Sequence, residues 1–178
     1  MAITDSNVRF LIFFFPLIMI FAACMDLFTM RISNWISIVL AMGFLPIALL
    51  DGLPFWSLAP NSIALHYACG LLILLVTFVL FAFGKIGGGD AKLAASSAIW
   101  IGWEGLLDYL LVASLLGGVL GLFFLAARTV ALPIFLLNQP WIARLHEPRG
   151  PLPFGVALGV GAIIVYPQTS MWLSAMGS

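Results

Sequence analysis

Six apolar runs, separated by short polar or glycine-rich breaks, set the pattern of this chain. They fall near residues 8–28, 33–50, 61–84, 91–108, 109–127 and 153–174. Each approaches the roughly 20 apolar residues that one membrane-spanning helix needs. The fourth is the weakest, because Gly102, Glu104, Gly105 and Asp108 dilute its far end, and the turn between helices four and five narrows to 102–105. The fifth run can extend toward Leu137, where Pro133 would kink it or turn it into an interfacial segment. The pattern predicts an all-α polytopic membrane protein with six transmembrane helices, organised as one membrane-embedded domain over residues 1–178.

Composition agrees with that class. Hydrophobic residues make up 63% of the chain and charged residues 8%, and the mean hydropathy is +1.19, far from soluble globular domains. Zero formal net charge, with no basic run, excludes a nucleic-acid partner and a polybasic lipid patch. Cys24 and Cys69 show neither a metal-ligand spacing nor a disulfide framework, and are read as reduced packing residues. No metal site is expected.

The segment Phe10 to Cys24 has the length of a signal-peptide core, and Ala22-Ala23-Cys24 faintly resembles a lipoprotein box. Asp5 offsets Arg9, however, and Phe21 stands where a small aliphatic residue would be needed. The segment is read as a retained first helix.

Basic residues orient the bundle. Arg31 lies between spans one and two, Lys85 and Lys92 between three and four, and Arg128, Arg144 and Arg149 between five and six; Arg9 is the dissenter. The opposite breaks, 51–60 and 102–108, carry no Lys or Arg. By the positive-inside rule the first set of loops faces the cytoplasm and both termini face outward.

Two of the seven acidic residues are costly placements on that cytoplasmic side: Asp26 at the end of helix one and Asp90 at the start of helix four. The topology brings them to the same depth. Two carboxylates within hydrogen-bond reach share a proton, one serving as base toward water and the other as acid, which is the machinery of aspartic proteolysis. Gly87, Gly88 and Gly89, without side chains, allow positive φ and a close approach to a substrate chain. A plainer reading stands beside this. Asp90 is also a normal helix-start acid, Gly87-Gly88-Gly89 a normal turn, and Asp26 a partner for Arg31 in a surface ion pair.

The run Gly87-x-Gly89-Asp90-x-Lys92, with the upstream Asp26 and Arg31-Ile32-x-Asn34, resembles the type IV prepilin peptidase family of intramembrane aspartic proteases. The nearer likeness is to its short branch, which serves Flp/Tad-type pili, with Ser33 standing where a proline is usual. Pro151-Leu152-Pro153-Phe154-Gly155-Val156-Ala157 resembles the family's lead-in to the last helix. The resemblance implies an aspartic endopeptidase of the bacterial inner membrane that removes the leader of pilin or pseudopilin precursors on the cytoplasmic side. Asp26 and Asp90 would be catalytic, with no cofactor. Gly87, Gly88, Gly89, Lys92, Asn34, Pro153 and Gly155 would bind substrate or shape the loops; Asn34 also suits a cap for helix two. Longer members add a cytoplasmic domain, often with Cys-x-x-Cys pairs, and methylate the new amino terminus. This chain lacks that insertion, so cleavage is expected and methylation is doubtful.

Three other readings remain. A small proton- or cation-coupled transporter would use the same two aspartates. The presenilin and signal-peptide-peptidase group shares Gly-x-Gly-Asp but carries its partner aspartate in a Tyr-Asp pair, whereas Met25 precedes Asp26. A non-catalytic assembly subunit could keep the protease fold. His66, inside helix three near its outer end, and His146, in a cytoplasmic loop, are not placed to join the aspartates. Glu104 and Asp108 are read as a solvated outer loop.

Overall fold

The computed structural model describes residues 11–55, 57, 62–130, 132–148 and 150–177. Asp5, Arg9, Arg149 and the predicted start of the first span at residue 8 lie outside them. The described residues form helices joined by short turns: α1 (Phe14–Thr29), α2 (Asn34–Leu50), α3 (Ile63–Ala82), α4 (Gly88–Ala127), the short α5 (Ile134–Leu137) and α6 (Pro140–His146), α7 (Phe154–Val165) and α8 (Ser170–Met176). No strand occurs among them. α3 and α4 are long and apolar enough to cross a membrane. They and α2 leave large apolar side chains in the open, with Leu71 58%, Phe78 60%, Leu122 69% and Met42 67% exposed. Apolar surface on this scale needs lipid rather than water around it.

α4 is two arms rather than one rod. Gly102 breaks it with φ 71° and ψ −177°, a backbone conformation essentially reserved for glycine. Asp90, near the start of the first arm, interacts with Asp26, which holds Gly155. On the second arm Gly105 packs beside Val165, at the far end of α7, and Gly117 beside Phe154, at its start. The second arm therefore runs back to the end from which the first began. The break falls at Gly102, inside the 102–105 turn read from the sequence and not at the 108/109 limit of the fourth run, and Glu104 and Asp108 are exposed residues of a helix rather than a loop. Polar side chains at a bundle's end can face outward from a helix as readily as from a turn.

His66 fills the concavity of this turn. Its Nδ1 lies 2.7 Å from the Ile99 carbonyl oxygen, and a Cβ added at Gly102 would meet its ring at 2.6 Å. Gly102→Ala is expected to cost about 1–3 kcal/mol in backbone strain alone, with the ring clash in addition. The check is thermal unfolding in detergent beside Gly118→Ala, where an added Cβ meets nothing within 4 Å and the Tm should hold.

The core sits at this same end of the bundle. Trp100 is fully buried, stacked on Phe15 at 5.2 Å and edge-on to Phe44 at 5.5 Å. Its indole N–H donates to the Leu40 carbonyl at 2.8 Å, as a buried donor must find a partner. Helices in lipid gain little from the hydrophobic effect, so close packing at small residues matters more. α7 supplies it with Gly159 against the Met19 carbonyl and Gly161 against Ala113.

The last predicted span, 153–174, is interrupted. α7 gives way to a 3₁₀ turn over Tyr166–Gln168, where Pro167 stands at its start, and Thr169 then caps α8. Cys69 is buried, as a packing residue should be, whereas Cys24 is exposed on the outer face of α1; both are free thiols. Beyond α2, Asp51 accepts a hydrogen bond from Ser174 Oγ at 2.9 Å. Partial burial pushes its carboxyl above the usual range, and the Ser174 hydroxyl pulls the other way.

Candidate active site

Asp26 lies in the last turn of α1. The helix stops at Met30, which takes a left-handed conformation (φ 54°) while its N–H closes onto the Asp26 carbonyl at 2.8 Å. The Asp26 side chain turns inward and is 5% exposed. Its Oδ2 accepts a hydrogen bond of 2.7 Å from the backbone N–H of Gly155. Gly155 belongs to the first turn of α7, so the carboxylate sits at the positive end of that helix, where unpaired N–H groups favour an anion. The surface pairing with Arg31 considered from the sequence is replaced by this inward contact.

Asp90 is the third residue of α4. Gly87 is the N-cap, and the carboxylate folds back to accept from the Gly87 N–H, the return half of a capping box. The helix-start role weighed for Asp90 is therefore real, and it holds the side chain facing Asp26. Asp26 and Asp90 interact electrostatically. Both line one open cavity of about 850 Å³, with Gly87, Gly88 and Gly89 beneath them and Arg31 and Lys85 on its walls.

The three glycines do not take positive φ. Gly87 has φ −74°, and the positive-φ glycines are Gly52, Gly84, Gly102 and Gly177. The turn out of α3 is made instead by Gly84 at φ 67°, with Gly84 N–H bonded to the Phe81 carbonyl and Lys85 N–H to that of Leu80, a Schellman cap. What the triple glycine provides is closeness: a Cβ at Gly89 would lie 3.1 Å from Ile32 Cβ, and one at Gly88 3.3 Å from the Phe81 ring.

Pro153 is fully buried and caps α7, and it leads directly into Gly155. The strand of chain ahead of it is tied down by arginines. Arg128 Nε donates to the Leu145 carbonyl at 2.9 Å, and its Nη2 donates to Gly150 and Pro151, each at 3.1 Å. Arg144 Nη2 donates to the Phe28 carbonyl at 2.7 Å, close behind Asp26. From the sequence these arginines carried orientation only; here they also fix the rim of the cavity. Ile32, packed against both Gly89 and Gly155, had no assigned role, and its position inside the Arg31-Ile32-x-Asn34 run was the available signal.

Asn34 and Lys92 are brought together, but elsewhere. Lys92 Nζ donates to Asn34 Oδ1 at 2.8 Å, at the edge of a second, separate groove between α2, α3 and the first arm of α4. Ser33, not Asn34, caps α2, its Oγ accepting from the Trp35 N–H at 3.4 Å. Neither histidine reaches the aspartates: His66 packs at Gly102, and His146 ends α6.

With Asp26 buried and held by a helix N-terminus, and Asp90 half-buried and held by its own helix start, two carboxylates lining one open cavity can position water and exchange a proton. No curated protein and no solved structure matches the chain. A family model does: the type IV leader peptidase family matches residues 13–122, well over half of the chain and inclusive of both Asp26 and Asp90. On that match the chain belongs to the type IV leader peptidase family.

Proposed function

We propose that this protein is a membrane-embedded aspartic endopeptidase that removes the leader of type IV or Flp pilin-like precursors at the cytoplasmic membrane face. The observation that carries the reading is that Asp26 and Asp90, 64 positions apart in sequence and on different helices, line one open cavity. The family match supports a peptidase.

In this reading α1, α2, α3, the two arms of α4 and the α7–α8 segment are six spans. The described basic residues Arg31, Lys85, Lys92, Arg128 and Arg144 all gather at the aspartate end, which the positive-inside rule places in the cytoplasm. The precursor's scissile peptide enters the cavity beside the glycine floor. A water held between the carboxylates loses its proton to the ionised aspartate as it attacks the carbonyl carbon, and the protonated aspartate donates a hydrogen bond to the developing oxyanion. Collapse of the tetrahedral intermediate returns a proton to the leaving amine. The mechanism requires no metal, nucleotide or covalent enzyme intermediate.

Co-expression with a pilin-like precursor in a pilus-free bacterial host tests the proposal. Leader loss, read as a gel shift and located by amino-terminal sequencing, is the expected result. A precursor that stays full length while the peptidase accumulates in the membrane would count against it, and proton flux in proteoliposomes would then test the transport reading.

A further inference from the structure

We propose that the groove between α2, α3 and the first arm of α4 is a binding site for one anionic phospholipid, with its phosphate at Lys92 and Asn34 and an acyl chain lying along the groove. This rests on the chain being membrane-embedded and is independent of the peptidase reading.

The groove has a volume of about 480 Å³ and is separate from the aspartate cavity. It opens sideways, since Ile38 on one wall and Leu71 on the other are 48% and 58% exposed. The surrounding solvent at that depth is lipid. Its polar end is charged in one sense only. Lys92 spends one N–H on Asn34 Oδ1, which occupies one of that oxygen's two lone pairs and leaves the Asn34 NH₂ and the other Lys92 N–H groups as donors. A mouth with one positive charge and a majority of donors fits an anion.

One turn deeper on α2, about 4.5 Å along the axis, lies Ser37. It lines the groove, is 9% exposed, and its Oγ has no hydrogen-bond partner. A buried hydroxyl left unpaired costs free energy and calls for a partner. A phospholipid held by its phosphate at Lys92 presents an ester carbonyl at about that depth, an acceptor for Ser37 Oγ–H. The rest of the lining includes Ala41, Leu74 and Ile99, apolar wall suited to an acyl chain, and the Tyr67 and Ser96 hydroxyls in it are already spent on the Ala41 and Leu93 carbonyls. Head, ester and tail thus meet cation, donor and hydrocarbon in the order in which a lipid carries them.

The test uses the full chain, delipidated in mild detergent, with lipid retention read by native mass spectrometry against phosphatidylglycerol and phosphatidylcholine of identical acyl chains. The wild type is expected to retain phosphatidylglycerol about fivefold better, the preference one interfacial cation confers. Lys92→Gln should remove the preference while leaving retention of both, and Ala41→Trp, which fills the groove, should remove retention of both. Val119→Trp, on an exposed face of the second α4 arm, controls for bulk and should bind as the wild type does. Thermal unfolding of each variant verifies folding. Equal retention of the two lipids by the wild type overturns the proposal, as does undiminished retention by folded Ala41→Trp. Displacement of the lipid by inorganic phosphate alone overturns it as well, because the site would then recognise the anion and not the lipid.

Discussion

Asp26→Asn and Asp90→Asn, introduced singly, are each expected to lower precursor cleavage on the order of 10²–10⁴-fold, the usual contribution of a positioned acid or base. Asparagine has the size of aspartate and keeps an oxygen that can accept from the N–H of Gly155 in the first case and of Gly87 in the second. The local folds should therefore survive, and both variants should accumulate in the membrane at wild-type level. What they lose is the shared proton: an amide is neither a base toward water nor a donor of the required acidity. Because the two groups act as a unit, the double variant should be no slower than the worse single one. Cleavage kinetics of the purified proteins on one precursor would decide this. Wild-type rates in either single variant would exclude the pair as the catalytic machinery.

The helices were largely legible, because an apolar run long enough to span a bilayer has few other fates. The run read at 61–84 became Ile63–Ala82. The hairpin was legible only as a break somewhere in 102–105, because hydropathy registers polarity rather than φ and does not say which residue turns the chain. Glu104 and Asp108 looked like loop residues, while the actual break depends on a glycine with His66 packed into it. At the site, Asp26 and Asp90 were visible as acids in costly places. The Gly155 contact joins residues 129 positions apart and leaves no local trace beyond a motif. Lys92 shows the limit from the other side. Two residues beyond Asp90 on a helix that starts at Gly88, it points about 200° around the axis, so it faces the second groove rather than the aspartates. A reading of spacing alone keeps the two together; the helical period separates them.

Gly155→Ala should come close to Asp26→Asn in its effect on cleavage, by way of position rather than chemistry. An added Cβ would stand 2.7 Å from Ile32 Cδ1, 2.8 Å from Asp26 Oδ2 and 3.0 Å from Asp26 Cβ. Ile32 is wedged against Gly89 on its other side, so it cannot simply retreat, and the Asp26 carboxylate is the group that must move. Overpacking of this kind costs typically about 1–3 kcal/mol in stability, and a shift of about 1 Å at a reacting group can cost about 10²-fold in rate. The two effects can be separated. Ile32→Val removes Cδ1, the closest of the three clashing atoms, and the double variant Ile32→Val/Gly155→Ala should regain much of the lost thermal stability. Its cleavage should stay low, because both contacts with Asp26 remain. Recovery of stability and activity together would mean that Gly155 matters only for packing the start of α7; stability without activity would place its importance in the position it gives Asp26.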